Sequence, residues 1–178
     1  MTAKIEQHKH NLYSNAPALY CGTYHKYNCG SLFGMWLDLT SFDTFDDFIE
    51  CCTMLHADEH DPEFMFQDFE NFPSTWYCES GINEEIFDKI LEFADLDQDE
   101  QKAFCEFIDM RGEDATIEDF REANCGKWES EEDFAENLMR ECYNIPKELE
   151  YYIDFKKFAD ELFMCDYEMC GDYVLRRY

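Results

Sequence analysis

Apolar residues recur with two different periods along this chain. Residues 19–24 (LYCGTY) and 33–39 (FGMWLDL) pack aromatic and aliphatic side chains into strand-length runs and read as β-strands. The link HKYNCGS between them carries turn chemistry in Asn28 and Gly30. Thr44 and Asp47 frame a capping box, after which Phe45, Phe48, Ile49, Cys52 and Leu55 fall on one helical face. Residues 63–70 (EFMFQDFE) alternate in part, which predicts a third strand ended by Pro73. Residues 17–78 therefore read as a small α+β domain, and the polar, aperiodic residues 1–16 as a flexible leader.

From Asn83 the period becomes helical. Ile82, Ile86, Phe87, Ile90, Leu91 and Ala94 make one stripe, and Ala103, Phe104, Phe107 and Ile108 make a second, with Gly112 past its end. Thr116 caps a third helix with Ile117, Phe120 and Ala123 inward and Gly126 closing it. Residues 79–126 thus form a predicted all-α domain. Residues 126–129 read as a short extended piece. Ser130 opens a helix through Phe134, Leu138 and Met139, Pro146 suits the start of a helical turn, and Asp154 caps FKKFADELF. YVLRRY closes the chain as a strand after a Gly171-Asp172 turn, so residues 127–178 are again α+β. The expected fold class is α+β, built from three small domains (α+β, all-α, α+β).

Charge changes the picture. The 178 residues hold 42 Asp and Glu against 14 Lys and Arg, a formal net of −28, yet 46% are hydrophobic and 17% aromatic. This is a packed protein, not an acidic tail. The excess runs the full length: 13 acids to 3 bases in residues 1–80, 15 to 4 in 81–126, and 14 to 7 in 127–178. Direct nucleic-acid binding needs a basic patch and is excluded; the natural partners are basic surfaces. No run approaches the ~20 apolar residues of a membrane span. The ten cysteines have no C-x-x-C spacing, and no signal-peptide pattern opens the chain, so an intracellular, cytoplasmic protein with reduced, mostly buried thiols is expected.

Two groupings invite a metal. Asp95, Asp97, Asp99 and Glu106 stand at positions 1, 3, 5 and 12 of a twelve-residue window, the spacing of a calcium loop. Position 6, where such a loop needs glycine, is Glu100, so the window reads better as a connection in which Asp97 caps the next helix. Cys52, His56 and His60 are spaced i, i+4, i+8, but Asp61-Pro62 ends that helix and four ligands are not available. The better reading is a buried Cys with surface His near a helix end. No metal and no cofactor are expected. No nucleophile elbow, phosphate loop or dinucleotide fingerprint occurs, so no enzyme is expected and no catalytic residue is named.

What remains is the pattern of like charge. Glu84, Asp88, Glu92 and Asp95 form one ridge on a helix, with Glu85 nearby and Lys89 beside the ridge. Asp43, Asp46, Asp47 and Glu50 repeat the habit on an earlier helix. So do Asp97, Asp99, Glu106, Asp109, Glu113, Asp114, Glu118, Asp119 and Glu122, and then Glu129, Glu132 and Glu136. Each like-charge i,i+4 contact costs roughly 0.2–0.5 kcal/mol. A face needing only solubility would mix signs. B-DNA carries about one charge per 1.7 Å of axis, so 42 carboxylates match the phosphates of about 21 base pairs.

Three separated motifs resemble one family in order: YCGTYHKYNCGSLFGMWLDL, EFMFQDFE and IPKELEYYIDFKKFADELF. They look like the ArdA antirestriction proteins across roughly residues 18–178. The resemblance implies a DNA mimic encoded by mobile genetic elements, with three small domains in a curved, elongated chain that forms a homodimer. It implies competitive occupation of the DNA-binding groove of type I restriction-modification enzymes, whose methyltransferase core is the partner. It places the dimer contact around Lys127, Trp128 and Glu129, and the acids above become stand-ins for phosphates. The alternative is an acidic antagonist of another basic DNA-binding protein, of nucleoid or regulatory type.

Overall fold

Ala18–Thr23 forms the first strand, β1, and lies at the centre of an antiparallel sheet. Before it stands a short helix, α1 (Thr2–Glu6); after it come α2 (Tyr24–Asn28), β2 (Met35–Asp38), α3 (Phe45–Leu55) and β3 (Phe64–Glu70). The sheet order is β2-β1-β3, with Leu19 opposite Leu37 on one side and Phe69 on the other. This computed structural model describes residues 2–112 and 114–177. They fall into two units, Met1–Leu96 and Asp97–Tyr178.

In the first unit the core forms where α3 covers the sheet. Thr44 Oγ1 caps α3 by accepting from Asp47 N, as its spacing predicts. Phe48 is fully buried, with its ring 5.7 Å from Phe66 on β3 and 5.9 Å from Phe87. Phe87 belongs to α4 (Glu84–Ala94), whose N-cap is Asn83. The sequence assigns α4 to a separate helical domain. In the structure Phe87, Ile90 and Phe93 are buried within the first unit, against Phe45, Phe48 and Trp76. Aromatic partners for that stripe exist there, so it docks.

Two local expectations need correction. The first sixteen residues are not a loose leader: Lys9 bridges Leu37, His10 N donates to Trp36 O, and Asp38 N donates to His8 O. Ile5 and His10 are buried, and the His8 ring stacks 4.1 Å from Phe42. One isoleucine and two histidine rings anchor the segment, and no apolar period announces that. The HKYN turn is instead the helix α2, capped by Thr23, which accepts from Lys26 N. Gly30, at φ +80°, supplies the reversal after it. Gly34 then passes so close to Cys21 O that a Cβ there would collide with it.

The second unit begins with α5 (Gln98–Arg111) and α6 (Ile117–Ala123). Then follow β4 (Asn124–Lys127), α7 (Glu131–Cys142), α8 (Lys147–Glu150), α9 (Phe155–Cys165), β5 (Tyr167–Cys170) and β6 (Tyr173–Arg176). The strands pair antiparallel in the order β4-β6-β5. Tyr173, Val174 and Leu175 of the central strand are buried. Phe120 of α6 sits edge-on to Tyr173 at 6.3 Å and to Phe104 of α5 at 5.6 Å. Phe134 of α7 meets Phe163 of α9 at 5.8 Å and Tyr167 of β5 at 4.7 Å.

Gly126 does not close α6. The helix ends at Ala123, and Gly126 (φ +92°) lies in β4, where the register shifts between Asn124 and Lys127. Its positive φ serves a bulge rather than a helix cap. The two sheets and their helices make the fold mixed α+β, as expected.

Candidate functional site

The ridge on α4 is laid down by the helix itself. Glu84, Asp88, Glu92 and Asp95 are all exposed, and among the described residues none of their carboxylates has a hydrogen bond or ion pair. Lys89 Nζ is engaged beside them, 2.9 Å from Glu85 Oε1. A full set of like charges therefore stands one helical turn apart, about 6 Å between neighbours. On α3, Asp46, Asp47 and Glu50 are exposed, as is Asp43 before it; Asp47 accepts from Thr44 Oγ1 at 2.7 Å.

In the second unit Asp109, Asp114, Glu118 and Glu122 are exposed, as are Glu129 and Glu132. Glu136 is half-buried and pairs with Arg140 at 2.5 Å. Asp119 is exposed and accepts from both Thr116 N and Thr116 Oγ1, which holds its carboxyl below the usual range. Glu113 lies outside the described residues.

The twelve-residue window is not a loop. Asp95 is the C-cap of α4, Asp97 is the N-cap of α5, and the chain is helical from Gln98 onward. Asp97 Oδ1 accepts from Asp99 N and Glu100 N, while Glu100 Oε2 accepts from Asp97 N at 3.0 Å. Asp99 Oδ2 binds Lys127 Nζ at 2.7 Å, and that contact draws its carboxyl pKa down. Glu106 Oε2 accepts from Gly171 N at 2.9 Å. Asp97, Asp99 and Glu106 each have a different partner, and Asp95 has none among the described residues.

The Cys52–His56–His60 series does not share a helix face either. α3 stops at Leu55, and His60 is exposed beyond it. His56 is fully buried, not a surface residue: it is the helix C-cap. His56, Asp58 and Glu59 do bring ligand atoms within 4.8 Å of one another. Lys26 Nζ fills the place a metal would take, at 3.0 Å from His56 Nδ1, 2.8 Å from Asp58 Oδ1 and 2.8 Å from Glu59 Oε1. Thr23 Oγ1 adds a 2.7 Å bond to Glu59. His56 Nε2 then faces Cys21 O at 3.3 Å, which fits a ring protonated there. Burial opposes the charge on Lys26, but the hydrogen bonds to Asp58 and Glu59 outweigh it and raise its pKa. Lys26 in turn lowers the pKa of Asp58.

This cluster was invisible to spacing, because its members lie 30 to 33 residues apart from Lys26. The thiols also depart from expectation. Cys21, Cys51, Cys52 and Cys170 are buried, but Cys29, Cys78, Cys142 and Cys165 are exposed, and all ten are free.

Lys127 ends β4, and Trp128 and Glu129 follow it. Lys127 holds Asp99 and lies 5.0 Å from the Tyr173 ring centroid. Trp128 is half-buried; its Nε1 donates to Cys125 O and its ring meets Phe134 at 5.5 Å. Glu129 is exposed. Two of the three are thus engaged within their own chain.

No helix is long and apolar enough to cross a membrane among the described residues. Compared with curated proteins, the chain finds no match. The family model described as "Antirestriction protein (ArdA)" matches residues 19–174. On that match, over most of its length, the chain belongs to the ArdA antirestriction family.

Proposed function

We propose that this protein is a non-catalytic DNA mimic that occupies the DNA-binding groove of type I restriction-modification enzymes and excludes the duplex by mass action. The observation that carries the reading is the α4 ridge: four exposed carboxylates, one turn apart, without a basic partner among the described residues. One ridge is sparser than a DNA strand, with ~6 Å against ~3.4 Å per phosphate. Acids on α3, α5, α6 and α7 supply further charge. The lysines and arginines of the enzyme's groove replace the missing counter-charges, so association is fast and salt-sensitive.

The working form in this reading is a cytoplasmic homodimer, with Lys127, Trp128 and Glu129 near the contact and the gene carried on a mobile element. Glu129 is the member of that trio left to face a second chain. Competition against a labelled duplex on the methyltransferase core of a type I enzyme, across a salt series, tests the proposal. Displacement at low salt that weakens as salt rises supports it. Failure to displace at low salt, with displacement of duplex from a nucleoid-type protein instead, moves the target to that class.

A further inference from the structure

The acidic excess has one long gap. Residues 7–37 contain no Asp or Glu, although about seven would fall there at the chain's mean frequency. The same stretch holds Leu12, Tyr13, Tyr27, Leu32 and Phe33, five of the eleven large apolar side chains most exposed among the described residues. A surface shaped by solubility alone would carry acids here too.

The fold turns much of that stretch to one side of the first sheet. Leu19 and Leu37 are register partners and fully buried. The next pair, Tyr20 and Trp36, alternates to the opposite face, where both stay half-buried and their rings meet edge-on at 5.6 Å. Tyr20 Oη donates to Leu32 O at 2.9 Å, which sets the loop before β2 beside one member of the pair. His10 N donates to Trp36 O beside the other, and Asn11 then starts the turn that carries Leu12 and Tyr13. Leu12, Tyr13 and Leu32 are 70%, 96% and 68% exposed. On its β3 side the face is bordered by Asp68, a register partner of Tyr20, and by Glu70, which lies 3.3 Å from His10 Nε2.

Two chains of net −28 repel one another wherever carboxylates meet carboxylates. On this face a second copy meets few of them. Leu12, Tyr13 and Leu32, with the uncovered parts of Tyr20 and Trp36, offer on the order of 500 Å² per copy. Two copies together would bury about 1,000 Å², the lower bound for a specific contact. The acids of β3 then fall on a polar rim.

We propose that this face is a self-association surface, on which a second copy of the chain docks isologously, acid-free stretch against acid-free stretch. The contact is separate from the one at Lys127, Trp128 and Glu129 and from the antirestriction reading, and each can fail without the others.

Sedimentation velocity of the full chain over a concentration series, at low and at high salt, tests it. The expected result is a doubling of mass with concentration that strengthens as salt rises, because salt screens the repulsion between the copies. Leu12→Glu combined with Leu32→Glu should weaken that step roughly tenfold or more. Met164→Glu, an exposed apolar site in the second unit, should leave it unchanged. The comparison holds whether or not the chain also dimerises elsewhere, since the double variant removes one step only. Hydrogen exchange of the wild type, dilute against concentrated, gives a second readout: protection gained on concentration should appear in residues 11–14 and 31–37. The proposal is overturned by a wild type whose largest species matches that of the double variant at every concentration and salt. It is overturned equally by the same weakening in Met164→Glu, by association that weakens as salt rises, or by protection gained only outside those residues.

Discussion

The ammonium of Lys26 lies 2.8 Å from the carboxylate of Glu59, 33 residues further along the chain. That contact ties α2 to the segment just past α3 and closes over the buried His56 ring. Glu59's side chain is only 12% exposed, so removing its partner strands a poorly hydrated carboxylate. Lys26→Met should therefore lower stability by about 1–3 kcal/mol. Urea unfolding of the two proteins side by side measures it. An unchanged midpoint would show the cluster to be ornamental.

The same cluster sets a pH dependence. Asp58 and Glu59 both have pKa values lowered from 3.8 and 4.5 in the folded chain. For Asp58 the cause is the Lys26 hydrogen bond; for Glu59, bonds from Lys26 and Thr23 outweigh burial. A depressed carboxyl stabilises above its unfolded pKa and loses that contribution as pH falls through its folded value. Stability should thus decline as pH drops below about 4.5, and the decline should be shallower in Lys26→Met. Thermal melts across an acid pH series compare the slopes.

Relieving the α4 ridge should move stability and function in opposite directions. Asp88→Asn, Glu92→Gln and Asp95→Asn remove no internal partner, and Asp95 opposes the negative end of the helix. The triple variant should gain about 1 kcal/mol in stability. It should also displace duplex from a type I enzyme less well at a given salt. Equal inhibition by the variant would take this ridge out of the mimicry.

Asp97 matters as a cap. Asp97→Ala should cost about 1 kcal/mol, since two N-terminal amides of α5 lose their acceptor. Millimolar calcium should leave the melting temperature of the wild type where it was. A calcium-dependent rise would restore the ligand reading of this window.

Phe48 carries the first unit's core. Phe48→Ala should cost about 3–5 kcal/mol, because a fully buried ring stacked on both Phe66 and Phe87 leaves a cavity. Near-ultraviolet circular dichroism during unfolding reads the loss.

Much of this architecture was legible before any coordinates. Capping residues Thr44, Asp97, Thr116, Ser130 and Asp154 each accept from the amide their spacing names, because a cap is a local bargain between a side chain and the next turn. Strand β5 was missed: YEMC is four residues with no alternation, and only its pairing to β6 makes it a strand. The placement of α4 was missed for a related reason. Periodicity shows that Phe87, Ile90 and Phe93 need a partner, but not that Phe45, Phe48 and Trp76 provide it. On the surface, the acids were legible as a class, and their division was not. Asp99 and Glu106 are tied to Lys127 and Gly171, while Asp88 and Glu92 are not tied to anything among the described residues.

That division has a consequence for how the protein meets a target. The unpartnered acids of α4 hold one another apart in the free chain, so part of its folding free energy is kept in reserve as repulsion. A cationic groove that seats on them forms contacts and releases that reserve in the same event. If the proposed mimicry holds, such a groove would make the fold firmer as it binds, and grip and rigidity would become two readings of one quantity.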